Sequence, residues 1–368
     1  MNTPISRSAR RGFSCVDAAV LVAGLALAST LAQPMLQTLR TDARLAGSRG
    51  NLRQLGKAHA SHADASSGLL AGFDWEGSSG PDRPEYDYAC NRVRFPLNNL
   101  EAAQYELAAI LRKTTGRCGA VPNRLIVDLG RLPFYRYSHV PLIDWLDGDA
   151  TSPAFVSPLD LNQQAFQGYT TRADYSLLPG GDPQFAGSGA WTSEATIVLQ
   201  AYGSSYRSTA NAWMPSRPNE NGRLAVVPVQ GGSLTQINDV SALRPQSLTS
   251  VAFPSNKAHL FEEYDYTAGL GNEGRYYADP EASVNTLAFD GSVRRLATAD
   301  TNPGWDPGST TDMSRSAALV FETIDTRYFP IYSGSQGGSR VFTGHALWTR
   351  GGLEGIDFGA GEINTSDW

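Results

Sequence analysis

Few residues in this chain have the types and spacing that chemistry requires. Gly269-Leu270-Gly271-Asn272-Glu273-Gly274 matches the Gly-x-Gly-x-x-Gly pattern of dinucleotide-binding loops. That pattern works only when a helix follows and aims its first amides at a pyrophosphate. Arg275-Tyr276-Tyr277-Ala278-Asp279-Pro280 does not supply one, so the stretch reads as a flexible loop. Glu262, Glu263, Asp265 and Asp279 offer carboxylate oxygens of the kind calcium selects on loops, against the plainer expectation of a solvated acidic face. His59 and His62 sit one helical turn apart; metal binding is one reading, and residues on a helix surface the favoured one. Gly-x-Ser-x-Gly, Cys-x-x-Cys and His-Glu-x-x-His do not occur, which removes the usual local signatures of hydrolases and zinc sites. The most conspicuous chemical group is instead Asp17, a charge just inside an apolar segment, where an unpaired carboxylate costs a few kcal/mol.

The segment that carries Asp17 organises the rest. From Ala18 to Leu39 there are 22 consecutive uncharged residues. As a helix rising about 1.5 Å per residue they suffice to cross a bilayer core of about 30 Å. Arg10 and Arg11 precede the segment, and the positive-inside rule then leaves the N-terminus in the cytoplasm and the body outside. Residues 1–57 hold eight Lys or Arg against Asp17 and Asp42, leaving 22 basic and 34 acidic residues in the remainder. An acidic body gives no electrostatic reason to bind nucleic acid, whereas the basic flanks suit anionic lipid headgroups.

Beyond Pro34, Leu45, Leu52 and His59, with Ser48, Leu55 and His62, recur at helical spacing, though Gly47 and Gly50 weaken the pattern. Polar, Gly/Ser-rich residues after about residue 63 mark the exit from this helix. A second helix is expected at Leu100–Lys113, capped by Asn98 or Asn99, with Tyr105, Ala108 and Leu111 inward and Gly116 past its end. Expected strands are Arg124–Leu129, Ala195–Tyr202, Leu224–Val229, Ala258–Tyr264, Val284–Phe289, Ser292–Ala297 and Arg340–Trp348. Asp290-Gly291 predicts a type I′ hairpin turn. With 37 Gly and 21 Pro, the fold class expected is α+β: a long N-terminal membrane-spanning helix packed on a β-rich, loop-rich domain. Most of the seven Trp are expected in the core or sheet packing. Cys90 and Cys118 are either a disulfide, adding about 3 kcal/mol, or two separate buried thiols; both readings stay open.

Arg10-Arg11-Gly12-Phe13, an acidic residue fifth from Phe13, and the apolar run together resemble the class III signal of type IV prepilins and type II secretion pseudopilins. Pro34, twenty-second from Phe13, matches the proline of many members. Asn51-Leu52-Arg53-Gln54-Leu55-Gly56-Lys57-Ala58 resembles the helix after the span in planctomycete-type pseudopilins. Asn285–Leu296 resembles their C-terminal hairpin, and Ser255–Asp265 the strand before it. The resemblance covers roughly residues 7–62 and 250–297. Departures are Asp17 in place of the usual Glu, Ser14-Cys15-Val16 in place of a more apolar triplet, and Pro280 where many relatives carry His.

The resemblance implies a leader of residues 1–12, a helix of residues 13–62 and a periplasmic body of residues 63–368, with a large insertion around 120–250. Prepilin peptidase would cut between Gly12 and Phe13 and methylate the Phe13 amine. Asp17 would then pair with that amine on a neighbouring subunit. Other pilins or pseudopilins, the inner-membrane assembly platform and the bilayer are the implied partners. No catalytic residue and no cofactor are assigned; the calcium known for major pseudopilins is carried over to no residue. The competing reading is an exported periplasmic enzyme or binding protein whose apolar start serves only as signal or anchor, with Ala26-Leu27-Ala28 as a conventional cleavage site.

Overall fold

The computed structural model describes residues 14–74, 86–89, 92–94, 96–115, 137–170, 202–216, 226–228, 235–237, 239–267, 273–304, 319–321, 331–332, 340–342 and 344–363. They form three α-helices, α1 (Cys15–Ala65), α2 (Asn99–Thr115) and α3 (Leu161–Thr170). The strands are β1 (Tyr86–Ala89), β2 (Arg92–Arg94), β3 (Tyr206–Ser208), β4 (Val226–Pro228), β5 (Thr235–Ile237), β6 (Ala258–Glu262), β7 (Tyr264–Asp265), β8 (Glu273–Tyr276), β9 (Ser283–Ala288), β10 (Val293–Ala297), β11 (Leu319–Phe321), β12 (Ile331–Tyr332) and β13 (Arg340–Phe342). An N-terminal apolar helix and a separate region of mainly antiparallel sheet make the chain α+β. It divides into two compact units, Met1–Arg44 and Leu45–Trp368.

In the first unit α1 is continuous through Pro34. In the second unit its last turns bury a stripe: Ser48, Leu52, Leu55 and His59 all face inward, with Leu52 0% exposed. The expected period of three and four therefore holds. Gly47 and Gly56 belong to this packing. A Cβ on Gly47 would stand 3.0 Å from the Pro158 side chain, and one on Gly56 3.0 Å from Leu287. The helix ends where Ser67 and Gly68 both take positive φ and the Gly68 amide donates to the Ala63 carbonyl at 2.7 Å, a left-handed exit that satisfies a terminal carbonyl.

The central sheet runs β10-β9-β6-β3, antiparallel throughout. Its inner strands β6 and β9 are buried, polar residues included, and the edge strand β10 (Val293–Ala297) is half-exposed with Arg294 and Arg295, as suits an edge. The β9–β10 hairpin forms where expected, but its turn differs. Asp290 does not take positive φ; Gly291 alone does, at +83°. The Gly291 amide donates to the Ala288 carbonyl, the Ala288 amide to the Ser292 carbonyl, and the Ser292 amide to Asp290 Oδ1. The loop is thus Phe289-Asp290-Gly291, closed by a left-handed glycine, because the Ala288–Ser292 hydrogen bond carries the pairing one step past Leu287 and Val293 and leaves one more residue than a two-residue turn holds.

Other expectations shift at their ends. Ala258–Tyr264 is interrupted at Glu263, where pairing passes from Ser205 beside β3 to Tyr277 beside β8. The strand expected over Arg340–Trp348 stops at Phe342, and His345–Leu347 is a 3-10 turn entered by His345 at φ +42°. Within the expected Leu224–Val229, Val226–Pro228 is strand β4, and residues 224, 225 and 229 lie outside the described residues. Arg124–Leu129, residues 195–201, Cys90, Cys118 and Gly116 lie outside the described residues. Helix α2 is capped by Asn98, which accepts the Glu101 amide at 2.9 Å, while Glu101 reaches back to the Leu97 amide. Tyr105, Ala108 and Leu111 face inward as expected. Of the tryptophans, Trp213 and Trp348 are buried and Trp145 is exposed. The core joins Leu52 and Leu55 to Leu260 and Leu287, to Val140, Phe155 and Met214 of the middle region, and to Trp348 and Leu353 of the C-terminal stretch. The described parts of the middle and C-terminal regions therefore share one core with the sheet.

Candidate functional site

Among the described residues one helix, α1, is long and apolar enough to cross a membrane. Its first half is apolar and bare: Val20, Leu21, Leu25, Met35 and Leu39 are each more than half exposed. The few hydroxyls in this stretch turn back on their own backbone. Ser29 donates to the Ala26 carbonyl, Thr30 to Leu27 and Thr38 to Pro34, at 2.8–3.0 Å. Asp17 lies in the first turn of α1. Gly12 and Phe13 lie outside the described residues. Cys15 is a free, exposed thiol.

The second half of α1 is held to the body by polar contacts. Ser48 Oγ donates to Glu262 Oε1 at 2.6 Å and lies 3.1 Å from the Tyr206 hydroxyl. Ser157 Oγ donates to the same oxygen at 2.8 Å, and the Asn285 amide to Glu262 Oε2 at 3.0 Å. Burial pushes Glu262 above the usual carboxylate range, and these donors pull it back. Asn51 caps the arrangement by donating to the Pro153 and Val156 carbonyls. Beside it, Asp160 accepts from Ser205 Oγ and the Tyr266 hydroxyl, each at 2.7 Å. Burial, followed by the Asp160 charge, drives the Tyr266 phenol well up.

The acidic residues near the glycine loop are not a solvated face. Glu262, Glu263, Asp265 and Asp279 are all buried. Glu263 pairs with the buried Arg207 at 3.3 Å. Asp265 pairs with Arg295 at 3.2 Å and accepts from Thr267 and the Ser283 amide. Asp279 accepts the Glu281 amide at 2.8 Å. The folding of β6 and β7 into the sheet brings Glu262, Glu263 and Asp265 to partners 18 or more residues away, whereas Asp279 is engaged locally. Their oxygens are engaged by protein donors, and among the described residues no group of three or more His, Cys, Asp or Glu is placed to hold a metal ion. The glycine-rich stretch enters β8, which pairs with β7 and β12. No helix follows the pattern, as its sequence indicated, but where a flexible loop was expected Glu273–Tyr276 is a strand; residues 268–272 lie outside the described residues.

The histidines also depart from a surface role. His59 is buried, its ring 4.2 Å from that of His259, which stacks on Phe289 at 4.2 Å and 11°. Burial lowers both imidazoles, His259 to about 3, with Lys257 adding to the effect there and His259 adding to it at His59. His62 is partly buried against Trp145. The signal for His59 was present: it stands seven residues beyond Leu52, on the stripe that packs inward.

The perturbed carboxylates are thus enclosed and hydrogen-bonded, the buried imidazoles are packed against rings, and the Ser48–Glu262 and His59–His259 contacts fasten α1 to the sheet. Comparison with models of protein families, with curated proteins and with solved structures finds no match for this chain.

Proposed function

We propose that this chain is a pilin-like subunit, a pseudopilin of a type II secretion pseudopilus or a related type IV filament. The observation that carries the reading is a single 51-residue helix whose first half is apolar and exposed and whose second half is a buried part of the body. In this reading the bilayer, and later neighbouring subunits, cover the first half. The Arg10-Arg11 flank holds the N-terminus in the cytoplasm and the acidic body on the outer side of the inner membrane. Prepilin peptidase removes residues 1–12, and the new Phe13 amine is methylated.

Asp17 then has a physical task. When helices pack side by side, a carboxylate in an apolar bundle needs a cation, and the Phe13 amine of the neighbouring subunit supplies it, which sets axial register. The bulk of a 368-residue chain suits a minor or tip position more than repetitive packing around a thin filament. The buried carboxylates Glu262, Glu263 and Asp265 have engaged partners, and the reading assigns them no catalysis.

Asp17→Asn tests the assignment. Cleavage after Gly12 is expected to stay intact, because the peptidase reads the preceding glycine, while incorporation into filaments falls. Asp17→Glu is expected to assemble at least as well as the native chain. Equal assembly by the Asn and Asp forms would remove the register role.

A further inference from the structure

Lys257 stands immediately before β6, and Thr349 and Asp357 flank the turn Gly352–Glu354 in the C-terminal stretch. All three are sealed from water, Lys257 at 0% and the other two at 1% exposure. Lys257 Nζ lies 2.9 Å from Asp357 Oδ2 and also donates to Thr349 Oγ1. Thr349 Oγ1 in turn donates to Asp357 Oδ1. The Ala258 amide donates to Asp357 Oδ2 at 2.8 Å. Ala258 and Phe358 belong to a small apolar cluster beside the pair.

A buried ion pair is the ordinary reading of such a contact, and its desolvation is costly. Here the Thr349 hydroxyl and the Ala258 amide hold amine and carboxylate together out of contact with water. Burial pulls the Lys257 ammonium below its usual range, and Asp357 restores it only in part. His259, which feels the Lys257 charge, has its imidazole lowered to about 3, mainly by burial.

We propose that Lys257 and Asp357 condense into an intramolecular amide. An ammonium proton passes through the Thr349 hydroxyl to Oδ1, giving the neutral pair. The Nζ lone pair then attacks Cγ, and the carbonyl electrons move onto Oδ2, where the Ala258 amide stabilises the oxyanion. A second proton leaves nitrogen through Thr349 for Oδ1. Collapse of the oxyanion breaks the Cγ–Oδ1 bond and expels Oδ1 as water, so one ammonium and one carboxylate become one amide and one water. Proximity supplies the effective concentration, and the dry surroundings oppose the reverse hydrolysis. The bond would close a loop across 100 residues of chain and rivet the C-terminal stretch to the central sheet in a form that thiol reductants do not open.

The test uses the full chain purified from membranes, digested with trypsin and examined by mass spectrometry. A branched peptide joining the segments around Lys257 and Asp357, lighter than their sum by one water and uncut after Lys257, is the expected result. Thr349→Ser should keep the bond and Thr349→Val should lower its yield at least tenfold. Folded native protein that gives the two separate peptides at full mass would overturn the proposal. A Thr349→Val chain linked as completely as the native one would overturn the relay on which this route depends.

Discussion

The two halves of α1 share one helix and face two different surroundings. Between Ala18 and Leu39 the helix is apolar on every side and its large side chains are exposed; between Leu45 and Ala65 only one stripe is apolar, and it is buried to the point that Leu52 and Leu55 are 0% and 1% exposed. A helix that is apolar all round requires a non-aqueous surround, whereas an amphipathic one requires only a partner face. The second half finds that face within its own chain, at Leu287, Phe155 and the Ser48–Glu262 tie. The first finds none among the described residues of its own unit. Side-chain changes should accordingly alter the stability of the body in one half and leave it unchanged in the other.

The largest expected contrast is Leu52→Ala against Leu25→Ala. The first should cost the body about 2–5 kcal/mol through lost burial and a cavity. The second should stay within about 0.5 kcal/mol, both read from urea unfolding in detergent. Similar losses at the two sites would mean that the halves are not distinct.

Acid should act on the buried half next. His139 and His259 are lowered by burial to about 3, and His59 is also lowered. The unfolded chain therefore binds protons first as pH falls below the ordinary histidine value of 6.5. The stability they contribute is complete above 6.5 and is lost toward pH 3, on the order of a few kcal/mol in total. His259→Phe should flatten this slope in urea midpoints taken from pH 7.5 to 4.5, and an unchanged slope would exclude the buried imidazole as its source. Glu106 has the opposite sign. Burial, then the Asp74 charge, pushes it up to about 8, so its contribution is present below 4.5 and lost as pH rises through 8.

Glycines sharpen the comparison at single positions. Gly56→Ala would drive a Cβ against Leu287, at a cost of about 1–3 kcal/mol. Gly50→Ala meets nothing within 4 Å and should gain about 0.5–1 kcal/mol from helix propensity. Thermal unfolding of the pair should move in opposite directions; parallel shifts would contradict the close approach of α1 to β9.

What the sequence made legible follows from local physics. The uncharged run, the stripe through Leu52 and Leu55, the cap at Asn98 and the β9–β10 hairpin are each written in neighbouring residues. The carboxylates were misread because charge alone says nothing of a partner far along the chain: Glu262 is answered by Ser48 and Ser157, Glu263 by Arg207, and Asp265 by Arg295. The hairpin turn was misassigned by one residue, since Asp-Gly serves a two-residue loop and a left-handed closing glycine alike. His59 was placed on the inward stripe by its spacing and on the surface by its chemistry, and the spacing decided. The Lys257–Thr349–Asp357 group had no local signal at all, because its members meet only when the C-terminal stretch returns to β6.

The central claim, that the exposed half of α1 is kept as an anchor and assembly helix, is tested most directly at the first residue of the mature chain. Intact-mass and N-terminal peptide analysis of membrane and periplasmic fractions should find a membrane-bound product that begins with N-methylated Phe13 and retains the whole of α1. A soluble product beginning at Ser29 or Gln33, with the apolar half discarded, would contradict it.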